Sequence, residues 1–189
     1  MKKSIGPKTV LFTHPVLLIG TYDEDGVPNI MTAAWGGICC SEPPMVAVSL
    51  REATHSHASI INSGAFTVNI PSARYVRHAD LAGLVSGRDF DKFDRLGLTA
   101  VRSTLVNAPY VEEFPAVLEC RLFKYEKLGL HTQFIGQIMD FKADTETLDA
   151  EGFPDIRKVD PFVFGSFGNA EYFRLGDAIG KAFSCGKDL

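Results

Sequence analysis

The first third of the chain alternates short apolar runs with turn signals. Residues 16–22 are mostly apolar and lead into an acidic turn at residues 23–26, after which apolar residues and Thr resume over residues 28–35. Two such runs on either side of a turn predict an antiparallel hairpin. After a Glu-Pro-Pro break at residues 42–44, residues 45–50 have the composition of a buried strand.

Helices are predicted between and after these strands. Thr54 is a good N-cap, and residues 55–62 run to a Ser-Gly pair that is typical of a helix end. Residues 66–70 return as a strand. Two further short helices are predicted over residues 75–84 and 90–96.

Strand character dominates the second half of the chain. Residues 117–125 and 132–141 are long strand candidates on either side of a turn, and residues 161–164 form a shorter one. Strands with a few interposed helices favour a mainly-β fold, a closed or partly closed barrel, over an alternating parallel sheet. Because no repeat or long linker divides the chain, we expect one domain over residues 1–189.

Composition and charge exclude several classes of function. The 189 residues are 46 % hydrophobic and 22 % charged, which fits a compact domain. The net charge of −4 comes without a basic stripe, which argues against a nucleic-acid partner. No apolar run reaches the roughly 18 residues of a membrane span, and residues 10–19 lack the cleavage site of a secretory leader. We therefore expect a cytoplasmic protein with no membrane partner.

Familiar catalytic and metal-binding motifs are missing. The chain has no dinucleotide, P-loop, nucleophile-elbow or zincin signature, so no catalytic residue is assigned. Cys39 and Cys40 would point to opposite faces of a strand, and His55 and His57 are two residues apart. Neither pair has the spacing of a shared metal site, and no metal is predicted.

Cations cluster where the third strand leads into the first helix. Arg51, His55 and His57 lie around a helix start capped by Thr54. The helix dipole is positive there, so further positive charge is unfavourable unless an anion is bound. The cluster therefore indicates an anion site.

The same segment offers hydrogen-bond donors for a phosphate. They are the backbone N–H groups of Thr54, His55 and Ser56, the Thr54 and Ser56 hydroxyls and the Arg51 guanidinium. The alternative is a solvated helix end in which Glu52 pairs with Arg51.

Small residues follow the first hairpin. Ala33, Ala34 and a Gly-Gly pair at residues 36–37 allow a close approach to the backbone, while Asn29 and Thr32 offer side-chain hydrogen bonds. A flat heteroaromatic ligand fits such a surface. The alternative is a strand with a glycine bulge and a tryptophan in the core.

Four blocks of the chain together resemble one family. They are PNIMTAAWGGICCSEPPMVAVSL, REATHSHASIINSGAFTVNIP, SGRDFDKF and HTQFIGQI. In order and spacing these blocks resemble the flavin reductase-like proteins with an FMN-binding split barrel, and within that family the flavoredoxins. The resemblance implies a Greek-key-like six-stranded antiparallel barrel with FMN as its cofactor.

The resemblance also assigns cofactor-binding positions. The isoalloxazine side corresponds to Asn29, Met31, Thr32, Ala33, Ala34 and Trp35, with Cys40 just beyond. The ribityl side corresponds to Ser49, Leu50 and Arg51, and the phosphate end to Thr54, His55 and Ser56. Lys92 and His131 match positions near the cofactor or a nicotinamide, and Phe164 is an aromatic candidate to cover the flavin.

Each of the last three residues also has a structural interpretation. Lys92 is alternatively a surface lysine beside Asp89 and Asp91, His131 a hydrogen-bonding residue in a turn, and Phe164 a core residue.

The family likeness leaves three functions open. The first is an FMN electron-transfer protein with protein redox partners, in the setting of sulfite or thiosulfate reduction. The second is an NAD(P)H-dependent reductase of FMN or riboflavin, and the third is a flavin-binding or sensor module without turnover. The family implies a homodimer with FMN near the subunit interface.

Overall fold

The computed structural model describes residues 1–166, 168 and 170–187. The strands in this part are β1 His14–Pro15, β2 Leu17–Tyr22, β3 Pro28–Ala33, β4 Gly36–Ser41, β5 Pro44–Arg51, β6 Ala65–Ile70, β7 Ala100–Arg102, β8 Pro109–Val111, β9 Ala116–Leu128, β10 His131–Ala143, β11 Phe162–Gly165 and β12 Glu171–Arg174. The α-helices are α1 His55–Ser63, α2 Val76–Leu84, α3 Lys92–Leu96 and α4 Ile156–Val159. Short 3-10 turns occupy Ala73–Tyr75 and Thr145–Thr147.

The main sheet has seven strands in the order β3-β2-β6-β9-β10-β5-β4, and all neighbours are antiparallel. Its two outer strands do not pair with each other, so the barrel is split. The amide of Ser49 on β5 donates to the carbonyl of Trp35 at 2.8 Å and draws the chain after β3 toward the far side of the sheet. The predicted mainly-β split barrel is confirmed.

The sheet has one strand more than the expected six because residues 36–41 form β4. The alternative of a strand with a glycine bulge is right about the strand, because Gly36 pairs with Val48 and Gly37 with Ala47, but the register shift lies further along, between Ile38 and Cys40. A Cβ on Gly36 would come within 3.0 Å of the Ala47 carbonyl oxygen, so this position needs glycine for space. The Glu42–Pro43 peptide, which is cis, turns the chain from β4 into β5.

Side-chain alternation along β2 and β3 separates two cores. Ile19, Phe66 and Phe134 belong to a core inside the curved sheet. Leu18 and Ile30 instead face the outer side, where the helical layer of α2 and α3 packs on the sheet. The first hairpin therefore holds the barrel and the helices together.

Helix boundaries follow local capping. Gly64 adopts a left-handed conformation (φ 64°) and ends α1, as its sequence predicts. The helix predicted from residue 75 begins one residue later, after a 3-10 turn. The helix predicted from residue 90 begins at Lys92, because the Asp91 carboxylate accepts from the Asp94 amide at 3.0 Å and acts as the N-cap.

Besides β4 and the 3-10 turns, five short elements have no counterpart in the sequence prediction: β1, β7, β8, β12 and α4. Each contains two to four residues. Hydrophobic periodicity needs a longer window to be recognised, so such elements are set by their tertiary partners. None of the helices in the described part of the chain is long and apolar enough to cross a membrane.

Candidate functional site

A cavity of about 230 Å³ lies where β3, the first turn of α1 and the end of α2 meet. Its lining consists of Asn29, Met31, Ala53, Thr54, His55, Ser56, Ala82, Gly83, Leu84, Val85, Ser86, Gly87 and Lys92. Pockets that enclose a drug-sized ligand measure roughly 300–1,000 Å³. This cavity therefore has room for one end of such a ligand, and the remainder would lie outside it.

The first turn of α1 presents backbone donors to this cavity. Thr54 has the extended backbone of an N-cap, but its hydroxyl donates to the Arg51 carbonyl at 2.8 Å and its amide to the same oxygen at 2.9 Å. Among the described residues, no acceptor receives the N–H groups of His55 and Ser56. These two donors, together with the helix dipole, favour an anion.

The expected set of phosphate donors is therefore smaller than the sequence indicated. Both donors of Thr54 are used within the chain. The Ser56 hydroxyl is fully buried and accepts from the Asn29 amide nitrogen at 2.9 Å. Arg51 is exposed and lies outside the cavity lining, and Glu52 pairs with Lys127 at 2.9 Å rather than with Arg51.

Asn29 brings a buried, unpaired oxygen to the cavity. Its Nδ2 donates to Ser56, whereas its Oδ1 is without a hydrogen-bond partner among the described residues. A Cβ added to Gly87 would stand 2.2 Å from this oxygen. Because a buried unpaired acceptor costs about 1–3 kcal/mol, Oδ1 is suited to receive a hydroxyl or N–H of a ligand.

Lys92 is buried at the start of α3 and points toward the end of α2. Its Nζ donates to the Ala82 carbonyl oxygen at 2.7 Å. Burial lowers the pKa of Lys92 to about 8, because desolvation disfavours the charged form. A neighbouring anion would restore the charge, so Lys92 is the strongest candidate for binding a phosphate in this cavity. The alternative of a surface lysine is wrong.

The two histidines of α1 have different surroundings. His55 lines the cavity, and its Nε2 lies 3.8 Å from the Asp23 carboxylate in the turn after β2. His57 is buried, with its Nε2 2.8 Å from the Thr132 hydroxyl. Desolvation lowers the pKa of His57, so this residue is a neutral part of the barrel core.

The structure brings six of the predicted positions to the cavity: Asn29, Met31, Thr54, His55, Ser56 and Lys92. The side chains of Ala33 and Leu50 belong to the barrel core. Thr32 faces the helical layer, where its hydroxyl donates to the Ala79 carbonyl. These three residues can therefore contact a ligand only through their backbone.

A second group of predicted positions lies at the ends of β5 and β10. Arg51 is opposite His131, and Ser49 is opposite Gln133. Thr54 ties the turn after Arg51 to the start of α1, so this group adjoins the cavity along the chain. His131 is half-buried at the first position of β10 rather than in a free turn.

Three further predicted positions lie outside the cavity lining: Ala34, Trp35 and Phe164. Trp35 packs edge-on against His14 with ring centroids 4.6 Å apart, and His14 is opposite Phe164 in the β1–β11 pair. Phe164 contacts Tyr172 and packs on the outer core. Ala34 lies between β3 and β4, next to Trp35.

Cys40 is remote from the cavity. It lies opposite Met45 at the turn end of the β4–β5 hairpin, whereas Arg51 is at the other end of β5. Six residues of strand at about 3.3 Å each place it roughly 20 Å from that end. Within the described residues there is also no group of three or more His, Cys, Asp or Glu that would hold a metal ion.

Sequence reasoning missed the wall formed by residues 82–87. These residues end α2 and continue into the loop before α3. A signal was present in the Ser-Gly-Arg of the third family block, since a glycine between two polar residues marks a close backbone approach. The structure shows that the group approached by Gly87 is the side chain of Asn29.

Comparison with known proteins gives consistent matches. Residues 9–164 match the family model described as flavin reductase like domain. Flavoredoxin of Desulfovibrio vulgaris (Miyazaki F) is 54 % identical and aligns over 99 % of this chain and 100 % of that chain with a TM-score of 0.94. Flavoredoxin from Methanosarcina acetivorans is 29 % identical over 100 % and 99 % of the two chains, with a TM-score of 0.92.

A characterised enzyme is also among the relatives. The ferric-chelate reductase (NAD(P)H) of Archaeoglobus fulgidus is 30 % identical over 125 residues, which are 62 % of this chain and 70 % of that protein. The open barrel and the family match define a split-barrel protein of the flavin reductase type. The chain belongs to the flavin reductase-like family, and over nearly its whole length it is similar to flavoredoxins.

Proposed function

We propose that this chain is an FMN-binding electron-transfer protein. One observation carries the proposal: a buried ammonium, an unpaired buried amide oxygen and two unpaired backbone donors converge on one small cavity. A phosphate suits Lys92 and the first turn of α1, and a sugar hydroxyl suits Asn29 Oδ1. This combination matches the phosphate and ribityl end of FMN. The flavoredoxins of similar fold support the electron-transfer role.

The phosphate and ribityl chain of the cofactor would lie in the cavity, and its ring would lie outside it. The amides of His55 and Ser56 and the Nζ of Lys92 would hold the phosphate, and Asn29 the ribityl chain. The ring would lie along β3, an outer strand whose free backbone groups can pair with it. The bound flavin supplies the redox chemistry, and the chain contributes binding and exclusion of water. No side chain is proposed as a catalytic base.

A second candidate function is an NAD(P)H-dependent flavin reductase. The ferric-chelate reductase relative favours it. Arg51, opposite His131 at the end of β5, also provides positive charge beside the cavity for a nucleotide phosphate. Lys127, opposite Thr132 on the neighbouring strand, adds little to this attraction because Glu52 neutralises it.

Titration of the apo-protein with FMN and with riboflavin tests the cofactor proposal. We expect one FMN per chain, with FMN bound about tenfold or more tightly than riboflavin, because only FMN carries the phosphate. Lys92→Met should remove most of that preference. Lys127→Met is the matched control, since Lys127 is exposed and lies outside the cavity lining. Equal affinity for both flavins would refute the phosphate site, and no uptake would refute the function.

Stopped-flow mixing with NADPH or NADH separates the carrier from the reductase. A carrier should keep its oxidised flavin spectrum with both nucleotides, yet be reduced by dithionite. Rapid bleaching of the flavin spectrum by either nucleotide would contradict the carrier proposal and support the reductase.

We also propose a homodimer in which the ring lies near the subunit interface. The cavity is too small for a whole flavin, so the ring needs cover from outside it. Exposed apolar side chains on β9 and in its turn to β10 support a partner surface: Phe123, Tyr125, Leu128 and Leu130.

A further inference from the structure

The loop between α2 and α3 crosses from one wall of the cavity to the other. We call Ser86, Gly87 and Arg88 the strap. Arg88 Nη1 donates to the carbonyl oxygen of Ala53 at 2.9 Å. Ala53 belongs to the turn between β5 and α1, 35 residues earlier in the chain. This hydrogen bond therefore joins two walls of the cavity that are distant in sequence.

Gly87 lets the strap lie directly on the opposite side chains. A Cβ at this position would come within 2.2 Å of Asn29 Oδ1 and within 3.0 Å of His55 Cδ2. Its φ is outside the left-handed region, so glycine is required here for space and not for conformation. The backbone of the strap thus lies closer to Asn29 and His55 than any residue with a Cβ would allow.

Local hydrogen bonds make the strap a compact turn. The amides of Asp89 and Phe90 both donate to the Ser86 carbonyl at 3.2 Å, and the Arg88 amide donates to the Ser86 hydroxyl at 3.2 Å. The Arg88 side chain is exposed and does not line the cavity. Its effect on a bound molecule must therefore pass through Ala53 and the position of the strap.

We propose that the Arg88–Ala53 hydrogen bond retains bound flavin by holding the strap against the turn before α1. Arg88 is then a positioning residue and not a ligand of the phosphate. The inference rests on the proposed function, because it concerns release of the same flavin. A guanidinium hydrogen bond that must break before the walls separate slows dissociation more than it changes association.

Flavin release from Arg88→Gln tests the inference. Loaded protein is diluted into excess riboflavin-binding apo-protein as a trap, and release of FMN and of riboflavin is followed by fluorescence. We expect both release rates to increase by the same factor, about three- to tenfold. Arg95→Gln is the control, because Arg95 is an exposed arginine that stacks on Phe90 and lies outside the cavity lining. Unchanged rates would overturn the inference, as would faster release of FMN alone, which would make Arg88 a phosphate ligand.

A second variant and a measurement on the apo-protein extend the test, and the latter is independent of the cofactor. Gly87→Ala should accelerate release of both flavins like Arg88→Gln, since its Cβ displaces the strap from Asn29. In the apo-protein, amide exchange in the strap, residues 86–88, should be faster in Arg88→Gln than in wild type and unchanged in Arg95→Gln. If wild-type protein takes up no flavin, the proposed function fails. If exchange in the strap does not change, the fastening role of Arg88 fails.

Discussion

Among the described residues, the ammonium group of Lys92 has one hydrogen-bond partner, the Ala82 carbonyl oxygen, and its burial has removed most of its water. Burial lowers the pKa of Lys92 to about 8 for that reason. Asn29 is in a similar position, since its Oδ1 is buried without a partner. Both residues cost stability in the empty protein, and a ligand with a phosphate and hydroxyl groups would recover that cost.

We predict that the apo-protein becomes more stable as the pH rises from about 8 to 10.5, the folded and ordinary pKa values of Lys92. Over this range the unfolded chain binds the proton and the folded chain does not, so the free energy of unfolding increases with pH. Lys92→Met should remove this increase and raise the stability of the apo-protein at pH 7 by roughly 1–3 kcal/mol. Urea unfolding at several pH values measures both effects. A variant that is less stable than wild type at pH 7 would contradict the prediction.

We further predict that FMN affinity falls as the pH rises through about 8, because Lys92 then loses the charge that attracts the phosphate. Riboflavin has no phosphate and should show little change over the same range. The Lys92→Met variant should bind FMN weakly and with a flat profile. Titrations from pH 7 to 10 measure the affinity for each flavin. An equal fall in affinity for FMN and riboflavin would show that a group other than Lys92 is titrating.

Among the elements, β10 contains a glycine, Gly136, that leaves space for a core side chain. β10 pairs with β5 on one side and β9 on the other, and its register with β9 shifts between Ile135 and Gly136. The ring of Phe66 lies over Gly136. A Cβ there would be 2.5 Å from Phe66 Cζ and 2.9 Å from Cys120 Cβ. The bulge and the glycine together allow the large ring to close the barrel interior.

Gly136→Ala should therefore destabilise the protein by about 1–3 kcal/mol through overpacking. Gly37→Ala is the matched control: this glycine is also in a strand, is exposed and has nothing within 4 Å of an added Cβ. Its effect should remain within about 0.5 kcal/mol. Urea unfolding of the two variants and of wild type measures the difference. Equal stabilities would show that Phe66 can move aside without destabilising the core.

On the scale of the whole molecule, the long β9–β10 hairpin leaves apolar side chains in solvent. Phe123 and Leu130 are 58 % and 64 % exposed. They extend outward from the barrel end where Tyr125 packs against Phe134. Apolar clusters of this kind on a chain with net charge −4 are typical of a subunit interface.

We predict that wild-type protein is a homodimer, with twice the chain mass of 20.7 kDa by light scattering. The double variant Phe123→Asp and Leu130→Asp should be monomeric, because burying two carboxylates in an apolar interface is unfavourable. Phe153→Asp changes an equally exposed aromatic in the loop before α4 and should remain dimeric. A monomeric wild type, or a dimeric double variant, would refute this interface.

Local sequence signals and tertiary contacts determined different parts of this protein. Alternating apolar positions, the acidic turn after β2 and Gly64 specify the first hairpin and α1, since these features act within a few residues of chain. The resemblance in four blocks pointed to Asn29 and Lys92 as cofactor positions. Capping rules also predicted the helix start at Thr54, although not that its hydroxyl would bond back to Arg51.

The cavity itself exists only through contacts between residues that are distant in sequence. Asn29 acquires its unpaired oxygen because Ser56 takes its amide and Gly87 closes over it. The lowered pKa of Lys92 requires α2 and β3 to be packed around it. Periodicity encodes which face of an element is apolar, but not which distant element covers that face. The sequence by itself thus determined the longer strands and the first helix and indicated a flavin-type ligand, and tertiary packing decided which donors remain free in the cavity.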